Sequence, residues 1–196
     1  MDQVVKLLVH FNMDMGMPGQ IHIIGDFFKL YYLTNPGMAF GMKLGTEYGK
    51  LFLTLFRLVA MVGIAYYLYT LINKGVNKWM LVCISMILGG AIGNVIDSTF
   101  YGVFLDNAPV GSPTPWFYGQ VVDMFYVDIW EGHIPDWVPF MGGKYMSLWP
   151  VFNVADASIF IGVFAILIFQ KKFFHEEEHE ETQDGSVQAE TVEVEA

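Results

Sequence analysis

Three long apolar stretches limit what this chain can fold into. Residues 51–72 contain one charged side chain, that of Arg57, residues 79–96 contain none, and residues 151–170 contain only Asp156. At about 1.5 Å per residue in a helix, stretches of this length cross a hydrocarbon core of about 30 Å. An ordinary soluble domain has no place for three such helices, so we predict an integral membrane protein with three clear spans.

The composition agrees with a membrane protein and excludes several other classes. Hydrophobic residues make up 54% of the chain and charged residues 15%, whereas soluble domains carry about 25% charged residues. Nine of the 20 acidic residues lie beyond Phe174, so the rest is nearly neutral and has no basic face for nucleic acid. The single Cys83 excludes an internal disulfide and a cysteine-rich zinc site. The histidines form no recognisable ligand set, so we expect neither a metal nor another cofactor.

Lysines in short loops mark the cytoplasmic side of a membrane protein. Here they follow the first and the last apolar stretch: Lys74, Lys78, Lys171 and Lys172. The segments 14–50 and 97–150 then lie outside the cytoplasm. Residues 1–13 are too short to cross and would form the outer part of a fourth helix. On this topology Met1 would begin within the bilayer, so we expect a start codon further upstream and a first helix truncated at its N-terminus.

The predicted architecture is an all-α membrane protein, a bundle of four transmembrane helices with a small β-rich element on its extracytoplasmic surface. Its membrane domain covers residues 1–173, with spans at about 1–13 in part, 51–72, 79–96 and 151–170. The alternating pattern and turn residues of the segment 21–42 favour short strands at the membrane surface. The acidic residues 174–196 lack apolar side chains to fold around and are predicted to be a disordered cytoplasmic tail.

Acidic side chains at membrane depth are costly and therefore mark candidate functional positions. Four of them qualify: Asp2, Asp97, Asp123 and Asp156. Asp97 would end the outward-running third span and Asp156 lies near the start of the inward-running last one, so both fall at the outer level. Asn94 and Asn153 each stand three residues before one of these acids, which predicts that each pair projects from one helical face. The alternative is that each carboxylate only reaches the headgroups or caps a helix.

Two close carboxyl groups in a poorly hydrated site cannot both ionise easily, so one keeps its proton while the other stays charged. The charged member can take a proton from water as that water attacks an amide, and the protonated member can donate to the carbonyl oxygen. A pair of this kind would catalyse aspartic peptide hydrolysis.

Five patches in order resemble the bacterial lipoprotein signal peptidases, or signal peptidase II. They are residues 2–6 (DQVVK), 35–40 (NPGMAF), 89–97 (GGAIGNVID), 121–124 (VVDM) and 152–157 (FNVADA). The resemblance covers the chain from Asp2 to about Lys172. It implies that Asp123 and Asp156 are the catalytic dyad. By the same resemblance, three asparagines become polar supports and three charged residues become structural or substrate-proximal: Asn94, Asn153, Asn35, Asp2, Lys6 and Asp97.

The resemblance also implies what the protein acts on and where. Members of this family are four-helix enzymes of the bacterial inner membrane, with both termini in the cytoplasm and the active site at the outer, periplasmic face. They remove signal peptides from prolipoproteins by cutting before a diacylglyceryl-modified cysteine. The expected partners are lipid-modified prolipoproteins and membrane lipids, the expected state is a monomer, and no cofactor is implied. The client lipoproteins are not identifiable from the sequence.

The chain departs from the family pattern around the third span. The family usually has arginine after the equivalent of Asp97, whereas this chain has Ser98, so a charge-assisted contact is missing or comes from elsewhere. Two acids beyond the third span compete for the catalytic position, because both Asp106 and Asp123 end a Gly-x-x-x-Asp spacing. Asp123 is favoured because it stands in the fuller match and follows apolar residues. Arg57 is predicted to reach the lipid headgroups, with a substrate contact as the alternative.

Two outer extensions, residues 103–120 and 126–150, are predicted to enlarge the cover over the site. Two rival functions also fit buried acids in a membrane. A small proton-coupled transporter would spread its acids through the depth of the bilayer, whereas those of this chain gather on one side. A non-catalytic relative would bind lipidated peptides without cleaving them, and Ser98 and the extensions are the features that favour it.

Overall fold

The computed structural model describes residues 1–36, 48–138, 142–143, 145–147, 149–171 and 173. Within them the helices are α1 (Asp2–Asn12), α2 (Gly49–Asn73), α3 (Lys78–Ile96) and α4 (Val154–Lys171). The strands are β1 (Ile21–Ile24), β2 (Phe28–Asn35), β3 (Val121–Val127), β4 (Glu131–His133) and β5 (Tyr145–Ser147). The predicted acidic tail and most of the NPGMAF patch lie outside the described residues.

Among the described residues, three helices are long and apolar enough to cross a membrane, as predicted: Gly49–Asn73, Lys78–Phe104 and Val154–Lys171. Many of their large apolar side chains point away from the protein, most of all on α2. Within the most apolar part of α2 only 6% of the residues are buried, and Phe52, Phe56 and Val59 are each more than 60% exposed. Apolar surface of this extent is compatible with lipid and not with water.

Two helices have ends that differ from those of the predicted spans, and both differences lie beside the polar cluster. The third helix does not end at Ile96, because it continues through a π-helical turn, Asp97–Tyr101, to Phe104. Asp97 lies inside the helix because Lys6 neutralises it at 2.8 Å. The last helix begins at Val154 instead of residue 151, because Phe152 is held in a β-bridge with Phe125.

A three-stranded antiparallel sheet, in the order β1-β2-β3, covers one end of the helices. This confirms the strands expected between residues 21 and 42 as far as that segment is described. In the register of β2 against β3, Leu33 pairs with Asp123 and Asn35 pairs with Val121. The sheet therefore brings the end of β2 beside the acid on β3. A separate hairpin pairs β4 with β5 within the second outer extension.

Glycines on one face of α3 let the neighbouring helices approach closely. A Cβ atom on Gly90 would lie 2.4 Å from the carbonyl oxygen of Ala155 at the start of α4. On Gly93 it would lie 2.6 Å from a carboxylate oxygen of Asp2 on α1. Gly89 faces no atom within 4 Å. The close approach sets the distance between α3 and the first turn of α4.

Adjacent glycines should therefore respond in opposite ways to alanine. Gly90→Ala forces α3 away from the backbone of Ala155, and we expect it to lower the free energy of unfolding by about 1–3 kcal/mol. Gly89→Ala meets empty space and should be neutral or stabilising by up to about 1 kcal/mol, because alanine favours helix. Thermal unfolding of both variants in one detergent measures the difference. Equal midpoints would contradict the packing described here.

The first outer extension leaves the end of α3 and returns to it. The amide of Gly119 donates to the carbonyl of Ser98 at 3.0 Å, and a Cβ atom on Gly119 would lie 2.8 Å from the nitrogen of Gly102. Asn107 and Gln120 close the loop with reciprocal side-chain and backbone hydrogen bonds. Because the two ends meet, the start of β3 is fixed by α3. Gly102 and Gly119, which begin the two Gly-x-x-x-Asp spacings, therefore lie against each other.

Candidate active site

Lys6 on α1 is the centre of a buried charged network. Its Nζ atom lies 2.9 Å from the carboxylate of Asp2, 2.8 Å from that of Asp97 and 2.9 Å from the side-chain oxygen of Asn94. Lys6 and Asp97 are both fully buried. A buried lysine is tolerated only where its charge is paired and its donors are used, and both conditions hold here.

The two carboxylates of this network also hold the backbone next to the candidate catalytic acids. Asp2 accepts a hydrogen bond of 2.9 Å from the amide of Ala155, the residue before Asp156. Asp97 accepts one of 3.2 Å from the amide of Val122, the residue before Asp123. The network thus ties the first turn of α4 and the start of β3 to the same lysine. These contacts are of the kind expected for a structural role, which is one of the two roles predicted for Asp2, Lys6 and Asp97.

Gln3 completes the network and was not singled out from the sequence. Its side-chain nitrogen donates to Asp97 at 2.8 Å and to the carbonyl of Gly93 at 3.1 Å. The hydroxyl of Tyr101 donates to the oxygen of Gln3 at 3.0 Å. Both of its polar atoms are therefore used, and its place in the DQVVK patch was the signal available.

Asp123 lies on β3 and is 2% exposed. One carboxyl oxygen accepts a hydrogen bond of 2.6 Å from the side-chain amide of Asn153, and the other accepts one of 3.0 Å from that of Asn35. Burial, followed by the negative charge of Asp156, raises the pKa of Asp123 to about 7, although the two amides act in the opposite direction. This carboxyl group therefore retains a proton up to near-neutral pH.

Asp156 lies in the first turn of α4 and is partly exposed. Its amide donates to the side-chain oxygen of Asn153 at 2.9 Å, and the amide of Asn153 donates to its carboxylate at 3.3 Å. This reciprocal pair is a capping box at the helix N-terminus, where a negative charge is favoured. Asn153 thus caps the helix instead of lying inside it, and its side chain and that of Asp156 both contact Asn94. The other carboxylate oxygen of Asp156 accepts a hydrogen bond of 2.7 Å from the side-chain amide of Asn94.

Asn153 and Asn94 join the two acids to each other and to the lysine. Asn153 contacts Asp123 through its side chain and Asp156 through its backbone amide. Asn94 donates to Asp156, and its oxygen accepts from Lys6 at 2.9 Å and from Asn153 at 3.2 Å. All eight residues singled out from the sequence thus meet in one connected cluster. Asn153 thus connects one buried carboxyl group, that of Asp123, with one more open carboxyl group, that of Asp156.

Asp106, the rival acid, stands apart from this cluster. It is exposed and its φ of 51° lies in the left-handed region, in the turn that follows the extended third helix. Within the described part of the chain, no group of three or more histidine, cysteine or acidic side chains could hold a metal ion.

Arg57 does not take the position predicted for it. Instead of reaching headgroups, its guanidinium donates to the hydroxyl of Ser98 on α3 at 3.2 Å, and it lies within electrostatic reach of Asp156, Asp123 and Asp97. The sequence held one signal for this, the serine where an arginine was expected.

Comparisons with known proteins identify the family to which the sequence is similar. The sequence model of the family described as Signal peptidase (SPase) II matches residues 1–172. A lipoprotein signal peptidase of Amoebophilus asiaticus (strain 5a2) is 52% identical over 172 residues, covering 87% of this chain and 72% of that protein. One from Porphyromonas gingivalis (strain W83) is 43% identical over 178 residues, covering 85% and 76%.

Two solved structures have a similar fold. A bacterial membrane enzyme determined by the in meso method at 2.3 Å resolution is 28% identical, with a TM-score of 0.55, and the match covers 87% of this chain and 80% of the other. A second, at 1.9 Å resolution, is also 28% identical, with a TM-score of 0.52 and coverage of 85% and 83%.

Proposed function

Since the chain belongs to the signal peptidase II family, whose members remove signal peptides from prolipoproteins, we propose that Asp123 and Asp156 are the dyad that hydrolyses the peptide bond. The observation that carries this proposal is their connection through Asn153, which donates one hydrogen bond to each carboxyl group. Groups held this way can act on the two sides of one amide.

The two carboxyl groups have different environments, which supports different roles. Asp123 is buried and its pKa is raised to about 7, so at neutral pH it holds the shared proton and is the general acid. Asp156 is more open, stands at a helix N-terminus and accepts a hydrogen bond from Asn94, which suits it to the role of general base.

The reaction then balances within the dyad. Asp156 takes one proton from water as the water oxygen bonds to the carbonyl carbon of the scissile peptide, and Asp123 donates its proton to the carbonyl oxygen. The neutral tetrahedral intermediate collapses when the bond to nitrogen breaks. The leaving amine takes a proton from Asp156, and a hydroxyl of the intermediate returns one to Asp123, which restores the half-protonated pair.

The substrate and setting follow from the family and the fold. We propose that the scissile bond precedes a diacylglyceryl-modified cysteine and that the site faces the outer leaflet of the bacterial inner membrane. The lysines after α2 and α4 lie at the opposite ends of these helices from Asp156 and Asn35, which supports that orientation. In this arrangement α1 lies on the outer side of the membrane with the dyad, and the enzyme works as a monomer.

A cleavage assay tests the proposed function. The purified protein in detergent is incubated with a diacylglyceryl-modified prolipoprotein and, as the matched control, with the same protein lacking the lipid. Mass spectrometry should detect the free signal peptide, and a mature chain that begins at the modified cysteine, only in the first reaction. Binding of the lipidated substrate without release of the peptide would favour the non-catalytic alternative.

The rate of cleavage should fall as the pH rises above about 7. Because the pKa of Asp123 is raised, its protonated form is present below that pH and is lost as the pH passes through it. The expected decline is about tenfold per pH unit, since the donor population falls by that factor. This alkaline limb of the pH profile reports an apparent pKa of the coupled pair of carboxyl groups and not of Asp123 alone. Values of kcat/KM between about pH 5 and about pH 9 measure it, and a rate that stays level to the upper end would contradict Asp123 as the proton donor.

A further inference from the structure

Arg57 is the single arginine of the chain and lies inside an apolar helix. A cation at this depth costs a few kcal/mol unless it has a polar or charged partner. Its guanidinium is partly buried and donates to Ser98, which is fully buried on α3 directly after Asp97. The side chain therefore turns away from lipid and toward the acidic cluster.

The neighbouring turns of α2 support this direction. Lys50, Thr54 and Arg57 are spaced by four and three residues and so share one face of the helix. The hydroxyl of Thr54 donates to the carbonyl of Phe117 at 2.9 Å, and Nζ of Lys50 donates to that of Pro36 at 2.8 Å. This polar face of α2 is thus packed against the outer segments that surround the dyad.

The charges of the cluster do not balance without this helix. The cluster contains four carboxyl groups and one lysine: Asp2 and Asp97 contact Lys6 directly, whereas Asp156 and Asp123 are connected to it through Asn94 and Asn153. If the dyad shares one proton, three negative charges remain against one positive charge. A buried excess of this kind is unfavourable. The guanidinium of arginine stays positively charged in proteins, and Arg57 lies within electrostatic reach of Asp156, Asp123 and Asp97.

We propose that Arg57 is a positioning residue of the dyad, whose guanidinium, oriented by Ser98, stabilises the single negative charge shared by Asp123 and Asp156. This inference rests on the proposed function. It also accounts for the serine after Asp97, because the positive charge comes from α2 instead of from α3. Other titratable groups surround the pair and Arg57. Lys6 acts on Asp123 and contacts Asp2 and Asp97, Lys50 lies within electrostatic reach of Arg57, and Tyr101 lies within reach of Asp97.

The test compares Arg57→Gln, which can keep the hydrogen bond to Ser98 but has no charge, with Arg57→Lys, which keeps the charge. For Arg57→Gln we expect kcat to fall about 10²-fold, the effect of losing one oriented electrostatic contact in a dry site, with KM changed much less. The alkaline limb should move up by about one pH unit, because a nearby cation favours the ionised carboxylate. Arg57→Lys should recover much of kcat. Lys74→Gln removes a charge from the exposed far end of α2 and should change nothing.

A charge relocation makes the test sharper. The double variant Arg57→Gln/Ser98→Arg moves the cation from α2 to α3, and we expect it to cleave faster than Arg57→Gln alone. Unfolding temperatures of all variants identify any that fail to fold. The inference is overturned if Arg57→Gln has a kcat within about threefold of the unmutated protein, or if Arg57→Lys is as slow as Arg57→Gln and the alkaline limb stays in place. If the unmutated protein binds the lipidated substrate without cleaving it, the proposed function fails first and this inference with it.

Discussion

Replacing either Asp123 or Asp156 by asparagine will lower kcat by at least about 10³-fold, because each variant removes one of two groups that must exchange protons with the reacting atoms. Asparagine has the size and shape of aspartate and can still accept a hydrogen bond from Asn153 or Asn94. The loss should therefore appear in the rate with little change in folding. Initial rates of signal-peptide release, with the unfolding temperature of each variant, measure both effects.

The matched control is Asp106→Asn. Asp106 satisfies the same Gly-x-x-x-Asp spacing but is exposed on the loop that follows the third span. We expect this variant to cleave at the rate of the unmutated protein. If Asp106→Asn were slow and Asp123→Asn were fast, the acid of the dyad would have been assigned to the wrong residue.

Replacing Lys6 by methionine will destabilise the protein by about 3–5 kcal/mol, since it leaves two buried carboxylates without their cation. Asp97 is fully buried, and both Asp97 and Asp2 lie within 3 Å of the Lys6 amine. The same change should also slow cleavage, because these carboxylates hold the amides of Val122 and Ala155 beside the dyad. Chemical or thermal unfolding in detergent measures the first effect.

Two further variants separate the charge from the packing of Lys6. Lys78→Met removes an exposed lysine at the start of α3 and should stay within about 0.5 kcal/mol of the unmutated protein. The triple variant Asp2→Asn/Lys6→Met/Asp97→Asn removes all three charges together and should recover much of the lost stability, because no unpaired charge remains buried. A triple variant no more stable than Lys6→Met would show that packing, and not charge, accounts for the loss.

Much of the fold could be predicted because membrane spans depend on the apolarity of each residue alone. The stretches 51–72 and 79–96 lie within the helices observed there. Hydropathy treats Asp97 as a charge facing lipid, so it did not predict that the third helix continues beyond this residue. Its partner, Lys6, lies on another helix far away in the sequence, and a pairing of that kind changes the cost of burial without changing the local pattern.

The members of the site could be predicted better than their geometry. Repeated Asn-x-x-Asp indicated a polar cluster, but the two copies are built differently. Asn94 lies inside α3 and bonds to an acid on another helix, whereas Asn153 caps the helix that carries Asp156. Whether an asparagine lies inside a helix or precedes it depends here on the β-bridge at Phe152. The direction of Arg57 was missed for a similar reason, since its partner is a serine on a neighbouring helix.

The proposed mechanism requires Asp123 and Asp156 to act as one unit on a single peptide bond. The measurement that tests it most directly is the rate of signal-peptide release, by mass spectrometry, for Asp123→Asn, Asp156→Asn and the double variant on the same lipidated prolipoprotein. Losses of rate are not additive for residues that act as a unit, so all three variants should fall to one common residual rate. A single variant that retains more than about a tenth of the rate, or a double variant in which two independent losses multiply, would contradict it.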